Sequence, residues 1–256
     1  MKKLLYSLKS ELLLSAPISN HTFLLRVMPT NTARQEISNN ALICRPDTRL
    51  ASVKDGQGNV VHQGFIERKH DVFSFSTTGI ALVDSSKKDC SPAAPYYKKQ
   101  TPLTSLKGQL KVFHDENKIE GTPMEITVHW MQLISETVAY RKGVTNTGTT
   151  AEQAFELHCG VCQDFANILL TLLRADGIAS RYVTGLMVGE GASHAWVEFH
   201  DGESWISIDP THNKICDDSF IKFAHGVDFN ACSLEKGVFK GEATQTTVSK
   251  ASVKEI

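Results

Sequence analysis

The sequence predicts an α+β protein: a β-rich, sandwich-like N-terminal module, then a domain in which helices precede strands. Two observations carry this. Over residues 1 to about 85, β-branched and aromatic residues mix with polar ones between turn clusters. From about residue 104 the apolar residues recur at helical spacing, and after Gly177 the period changes to two. A chain of 256 residues with 41% hydrophobic and 21% charged residues can bury a substantial core. Its length suits one large domain or two modest ones, and two are expected.

In the N-terminal module, Thr22 to Met28 is a β-prone run stopped by Pro29. Asp55-Gly56-Gln57-Gly58-Asn59 is a turn cluster, and Val60 to Ile66 and Asp71 to Ser76 read as half-buried antiparallel strands. From Asp84 to Pro102 the composition shifts to Ser, Lys, Pro and Tyr, so residues 86–102 are expected to link the first module to a second domain over residues 103–256. There, Thr104 or Ser105 can cap a short helix through Phe113. Thr122-Pro123 offers a cap and a first-turn proline for a longer helix to about Val138. Ile126, Trp130, Leu133, Ile134 and Val138 make its apolar stripe. Gly143 to Thr150 is a polar loop. Gln163 to Ala175 is the clearest helix, with Phe165, Ile168, Leu169, Leu172 and Leu173 at helical spacing and a stop at Asp176-Gly177. Arg181 to Val188, Ser193 to His200 and Ser204 to Asp209 then read as strands.

A net charge of -1 argues against a broad electrostatic grip on nucleic acid or on a membrane surface. Lys9 and Glu11 interrupt the early apolar run before it reaches signal length, so cytoplasmic residence is expected. No stretch approaches the ~20 apolar residues of a spanning helix. The six cysteines are scattered and do not resemble a secreted disulfide scaffold.

Chemistry gathers in the second domain. Cys162 lies just after Gly160-Val161 and just before the strongest helix. Unpaired N–H groups at a helix start favour a thiolate and can hold the oxyanion of a tetrahedral intermediate. Asp201-Gly202 is a favoured two-residue turn between alternating strands, which would set His200 opposite Glu203, Val197 opposite Ile206 and His194 opposite Asp209. Opposed residues are close enough for a carboxylate to orient an imidazole. A three-residue loop would put the two on opposite faces of the sheet.

The stretches Gly160-Val161-Cys162-Gln163-Asp164-Phe165-Ala166, Arg181-Tyr182-Val183-Thr184-Gly185, Ser193-His194-Ala195-Trp196-Val197-Glu198 and Asp209-Pro210-Thr211-His212-Asn213 together resemble the bacterial transglutaminase-like proteins, often described as cysteine proteases. Tyr140, Gly143 and Thr145 upstream, and Gly226-Val227-Asp228-Phe229 and Gly237-Val238-Phe239-Lys240-Gly241 downstream, extend the resemblance. Residues 1–85 resemble, more weakly, the β-rich N-terminal region of those proteins. The resemblance implies a papain-like core in which a helix-start cysteine packs on an antiparallel sheet. It implies Cys162 as nucleophile, His194 as general base and acid, and Asp209 as the residue that orients it. The reaction it implies is acyl transfer through a thioester on a peptide or protein substrate, without metal or organic cofactor. Hydrolysis is preferred over protein-glutamine cross-linking, because an acceptor amine must outcompete abundant water.

The second oxyanion donor is left open, with Tyr140 or a tryptophan as candidates. Asp164 is assigned to structure, binding loop amides at the helix start, and Trp196 to the cleft wall or the core. Three other readings compete. Cys159-Gly-Val-Cys162 is a C-x-x-C that could form a thiol redox centre, but it leaves His194 and Asp209 unused. His158, Cys159, Cys162, His212 and Cys216 could ligate zinc but lack a common paired-ligand spacing. A catalytically silent interaction module is the third.

Overall fold

The computed structural model describes residues 1–256. The N-terminal module opens with β1 (Lys2–Leu25), followed by β2 (Gln35–Arg45), β3 (Leu50–Lys54), β4 (Val60–Ile66) and β5 (His70–Val83). Strand β1 begins twenty residues before the run expected at Thr22. Its first half buries Leu4, Tyr6, Leu8, Ser10, Leu12 and Leu14 and turns the residues between them outward, a period-two pattern. The ladder with β5 breaks its register between Leu13 and Ile18. Before the break β1 lies between β5 and β15 (Gln245–Glu255), and after it β1 pairs with β4 and with β14 (Glu235–Lys240). One long strand thereby serves both sides of a bent sheet, as corner strands of orthogonal packings do. The Asp55–Asn59 turn falls between β3 and β4, with the Asp55 carboxylate accepting from the Gln57 and Asn59 amides.

The second domain contains α1 (Gly108–Asn117), α2 (Pro123–Thr137), β6 (Ala139–Tyr140), α3 (Ala151–Glu156), β7 (Cys159–Gly160), α4 (Cys162–Ala175), β8 (Ser180–Met187), β9 (Gly189–Gly191), β10 (His194–His200), β11 (Trp205–Asp209), β12 (Lys214–Ile215), β13 (Phe220–Gly226) and α5 (Phe229–Cys232). Thr122 caps α2, and Glu125 returns a bond to the Thr122 amide. The first helix starts later than a Thr104 or Ser105 cap predicts, because Pro102–Thr104 closes a separate 3-10 turn. Five antiparallel strands stand in the order β12-β11-β10-β8-β13, and α4 packs on them. Ala195, Val197, Phe199, Ile208, Leu169 and Leu173 share that core. No helix is long and apolar enough to cross a membrane.

The division expected at residues 86–102, with 103–256 as one domain, meets two differences in the structure. Strands β14 and β15 return to β1, so the end of the chain completes the N-terminal sheet. The physical reason is edge coverage: β15 pairs with the first half of β1 over eleven residues and so covers the side of β1 that β5 leaves open. The 86–102 stretch is also packed rather than free. Buried Tyr97 meets the Trp205 ring edge-on at 5.4 Å, and the Asp89 carbonyl accepts from the Trp205 amide at 2.9 Å. The two modules share a core as well, since Leu186, Ile221 and Phe223 of the second sheet join the N-terminal cluster and Phe223 packs edge-on against Tyr6.

The sheet face away from α4 buries a charge network. Glu198 accepts from Arg181 Nε at 2.6 Å, Lys222 Nζ at 2.6 Å and Ser207 Oγ at 3.1 Å, while Arg181 also reaches Asp89 at 3.0 Å and lies over the Trp205 ring. Burial opposes the Glu198 charge, but the two cations outweigh it and hold the carboxyl well below its ordinary range. Removing one partner of such a network leaves uncompensated buried charge, whereas an exposed pair such as Lys254–Glu190 is screened by water. Glu198→Gln is expected to lower unfolding free energy by about 3–5 kcal/mol. Lys254→Ala should change it by less than about 1 kcal/mol, and urea unfolding monitored by tryptophan fluorescence measures both.

Candidate functional site

The start of α4 is built by a side chain inside its own first turn. Asp164 Oδ2 accepts from the Val161 amide at 2.7 Å and from Thr145 Oγ1 at 2.7 Å, tying the residue before Cys162 to the polar loop. Burial raises the Asp164 pKa although both bonds oppose the rise. The sequence-based assignment of Asp164 to loop amides agrees with this geometry. Gly160 has to be glycine here, because a Cβ would sit 2.5 Å from the Asp164 carboxylate oxygen. Cys162 is then the first helical residue, half-buried, with the unpaired N–H groups of the first turn around it.

His194 is the first residue of β10, at the end of the sheet, and Asp209 is the last of β11. The hairpin joining them departs from the expected register. The turn takes four residues, Asp201 to Ser204, because Asp201 Oδ1 accepts from both the Glu203 and Ser204 amides. His200 therefore pairs with Trp205, Phe199 with Ile206 and Val197 with Ile208, so His194 and Asp209 are diagonal neighbours and not directly opposed. A slip of two residues keeps every side chain on its face. The carboxylate reaches the ring diagonally, and His194 Nε2 donates to Asp209 Oδ2 at 2.8 Å.

Asp209 is fully buried and heavily bonded. Its Oδ2 also accepts from His212 Nδ1 at 2.7 Å, and its Oδ1 from the Thr211 amide at 3.0 Å. Burial pushes the carboxyl up, yet the bonds from His194 and His212 and their charges bring its pKa below the ordinary value. For His194, burial pushes down, but the Asp209 bond, the neighbouring Cys162 side chain and the negative charge of both raise it to about 9. With Nε2 committed to Asp209, Nδ1 is the ring nitrogen left free. The structure thus joins an imidazole to a buried carboxylate at the end of the sheet, and the charge of Cys162 at the start of α4 acts on that same imidazole.

Other sequence-flagged residues separate around this centre. Tyr140 is half-exposed, and burial and the charge of Cys162 raise its phenol. Trp196 is 2% exposed and packed with Val183, Cys216 and Phe220, so it belongs to the core. All six cysteines are free, including Cys159 and Cys162 of the C-x-x-C. Of the residues considered for zinc, only His212 joins a cluster of ligand-type atoms, and its companions are His194 and Asp209, within 4.8 Å of one another. The hold of His212 on Asp209 was missed from sequence, although its i,i+3 spacing across Pro210 carried the signal. Thr145 was noted upstream, but its bond to Asp164 depends on where the loop lies.

Residues 116–210 match the transglutaminase-like superfamily, and residues 11–81 match the bacterial transglutaminase-like N-terminal region. An uncharacterized protein of Mycobacterium leprae is 25% identical over 247 residues, covering 84% of this chain and 85% of that protein. A protein-glutamine gamma-glutamyltransferase of Pseudomonas aeruginosa is 35% identical over 71 residues, which span 23% of this chain and 11% of that protein. The crystal structure of a "Putative Cysteine Protease" from Cytophaga hutchinsonii aligns with a TM-score of 0.81 at 22% identity, covering 100% of this chain and 92% of that one, and so shares the fold. Two separate regions of the chain thus match the transglutaminase-like core and the bacterial transglutaminase-like N-terminal region, and the chain as a whole shares the fold of the Cytophaga hutchinsonii protein.

Proposed function

We propose that the protein is a cysteine-dependent acyl-transfer enzyme that cleaves amide or peptide bonds through a thioester and passes the acyl group to water. The observation that carries this is the His194 imidazole, held by buried Asp209 at 2.8 Å beside the thiol that opens α4. In this reading the proton shared by the pair rests on His194, and the Cys162 sulfur attacks the carbonyl carbon. The oxyanion meets first-turn N–H groups of α4. As the C–N bond breaks, the imidazolium returns the proton to the departing amine and the acyl group stays on sulfur. Water, deprotonated by His194, then attacks the thioester, releasing the acid and restoring the thiol. Asp209 orients the ring throughout. Cytoplasm remains the proposed place of action, where a free thiol stays reduced.

Three measurements bear on this. Cys44, Cys216 and Cys232 are buried and their thiols pushed up, to about 11 for Cys44 and about 12 for Cys232. Iodoacetamide at neutral pH should therefore leave them unlabelled and modify Cys162 fastest, with His194→Ala slowing that labelling; peptide mass spectrometry reads the sites. In a peptide-library hydrolysis assay, Cys162→Ala should abolish turnover, His194→Ala should lower it roughly 10²–10⁴-fold, and Cys159→Ala should retain it.

The third concerns pH. Because the pKa of His194 rises from 6.5 to about 9 on folding, its protonated form stabilises the fold fully below pH 6.5, and this contribution is lost as pH rises through about 9. The difference in urea stability between the wild type and His194→Gln should accordingly shrink across that window.

A further inference from the structure

A groove of ≈ 780 Å³ lies between residues that neighbour the candidate site and the N-terminal module. Its near end is made by immediate neighbours of the site. Ser193 precedes His194, and Thr147 accepts through its carbonyl from the side chain of Gln163, the residue after Cys162. Phe229, which packs on the same core as Cys162, forms a wall. Farther in, Leu8, Leu12 and Phe75 give apolar surface, while Thr247 and the Ser10–Ser249 pair, whose hydroxyls bond each other at 2.9 Å and keep further bonding capacity, line it with hydroxyls. Hydroxyls distributed along apolar walls suit an extended peptide, whose backbone needs hydrogen-bond partners at intervals, better than a hydrocarbon chain, which has no use for them.

Charge makes the preference more specific. Glu235, at the start of β14, lines the groove, and its carboxyl has neither a hydrogen bond nor an ion pair anywhere in the protein. The other candidate charges are occupied or absent. Lys236 donates to the Asn230 carbonyl, and burial with the charge of His70 holds His21 down at about 4, so that ring is neutral near pH 7. Burial likewise pushes the Glu235 carboxyl up to about 7. A half-buried carboxylate without a partner is a costly arrangement that an incoming cation relieves.

We infer that this groove binds an extended segment of the peptide substrate and that Glu235 receives the cationic side chain of a lysine in it. The inference rests on the reading of the protein as a peptide-acting enzyme, and it gives the N-terminal module a share in substrate selection.

Binding can be separated from turnover. On Cys162→Ala protein, fluorescence anisotropy would compare fluorescein-labelled alanine-leucine octapeptides that carry one lysine, scanned through each position, with the same peptides carrying norleucine. Norleucine keeps the methylene stem and lacks the ammonium. At one or two positions the lysine peptide should bind roughly tenfold more tightly, the scale of a charge-assisted hydrogen bond. Adding Glu235→Gln should erase that preference and leave norleucine binding unchanged, and Glu235→Asp should restore part of it. Equal binding of lysine and norleucine peptides at every position in Glu235-containing protein would overturn the inference without reference to any variant's folding. It would also be overturned if dansylcadaverine incorporation by the Cys162 protein depended on Glu235 while the peptides showed no lysine preference, since the groove would then serve an acceptor amine. A lysine preference that persists while Cys162-dependent turnover is absent would support the groove and refute the proposed chemistry.

Discussion

The burial of α4 is the constraint on which the rest of the structure depends. From Asp164 to Arg174 every residue of this helix is buried, so it is enclosed by the sheet on one side and by α2 and α3 on others. Each large aliphatic side chain so enclosed contributes about 1.5–3 kcal/mol relative to exposure. The far end is pinned too, with Arg174 donating to Thr104 Oγ1 and to the Ser180 and Val227 carbonyls. Burial lowers the Arg174 pKa to about 10, which still leaves the guanidinium protonated near neutrality. A helix held along its length cannot slide, and its first residue is therefore delivered to a fixed point beside the end of β10.

One face of the sheet carries two buried carboxylates that meet their desolvation in different ways. Glu198 lies between Arg181 and Lys222, both cationic near neutral pH although burial lowers Lys222 to about 8, and the result is structural. Asp209 lies between His194 and His212, which can change charge, and the result is a site able to handle protons. The placement follows strand geometry: Glu198 is four residues along β10 from His194, so both point to the same side, one within the sheet and one at its open end. Depth along a strand separates a stabilising carboxylate from a chemically useful one.

The N-terminal module is more than an appendage to this core. Strand β1 holds β5 and β15 in its first half and β4 and β14 in its second, and the second sheet contributes Leu186, Ile221 and Phe223 to the same apolar cluster. The groove beside Ser193 exists because β14 and β15 return across the molecule to β1. Neither module alone has both of its walls.

Local pattern determined what depends on near neighbours. The cap and proline of α2, the apolar periodicity of α4, the start of that helix within one residue of Cys162 and the Asp55–Asn59 turn were all legible, because helix starts and turns are set by contacts within a few residues. The sharing of one sheet face by His194 and Asp209 was legible too, since parity survives any even slip of a hairpin. The actual register was not, because Asp201 capped two amides and enlarged the turn. Tertiary structure alone decided that the last strands close the first module, that residues 86–102 pack beneath Trp205, that His212 shares Asp209, and that Glu235 lines a groove without a partner. Those outcomes join residues far apart in the chain, and the free energy that selects them comes from burying surfaces that no local window of sequence contains.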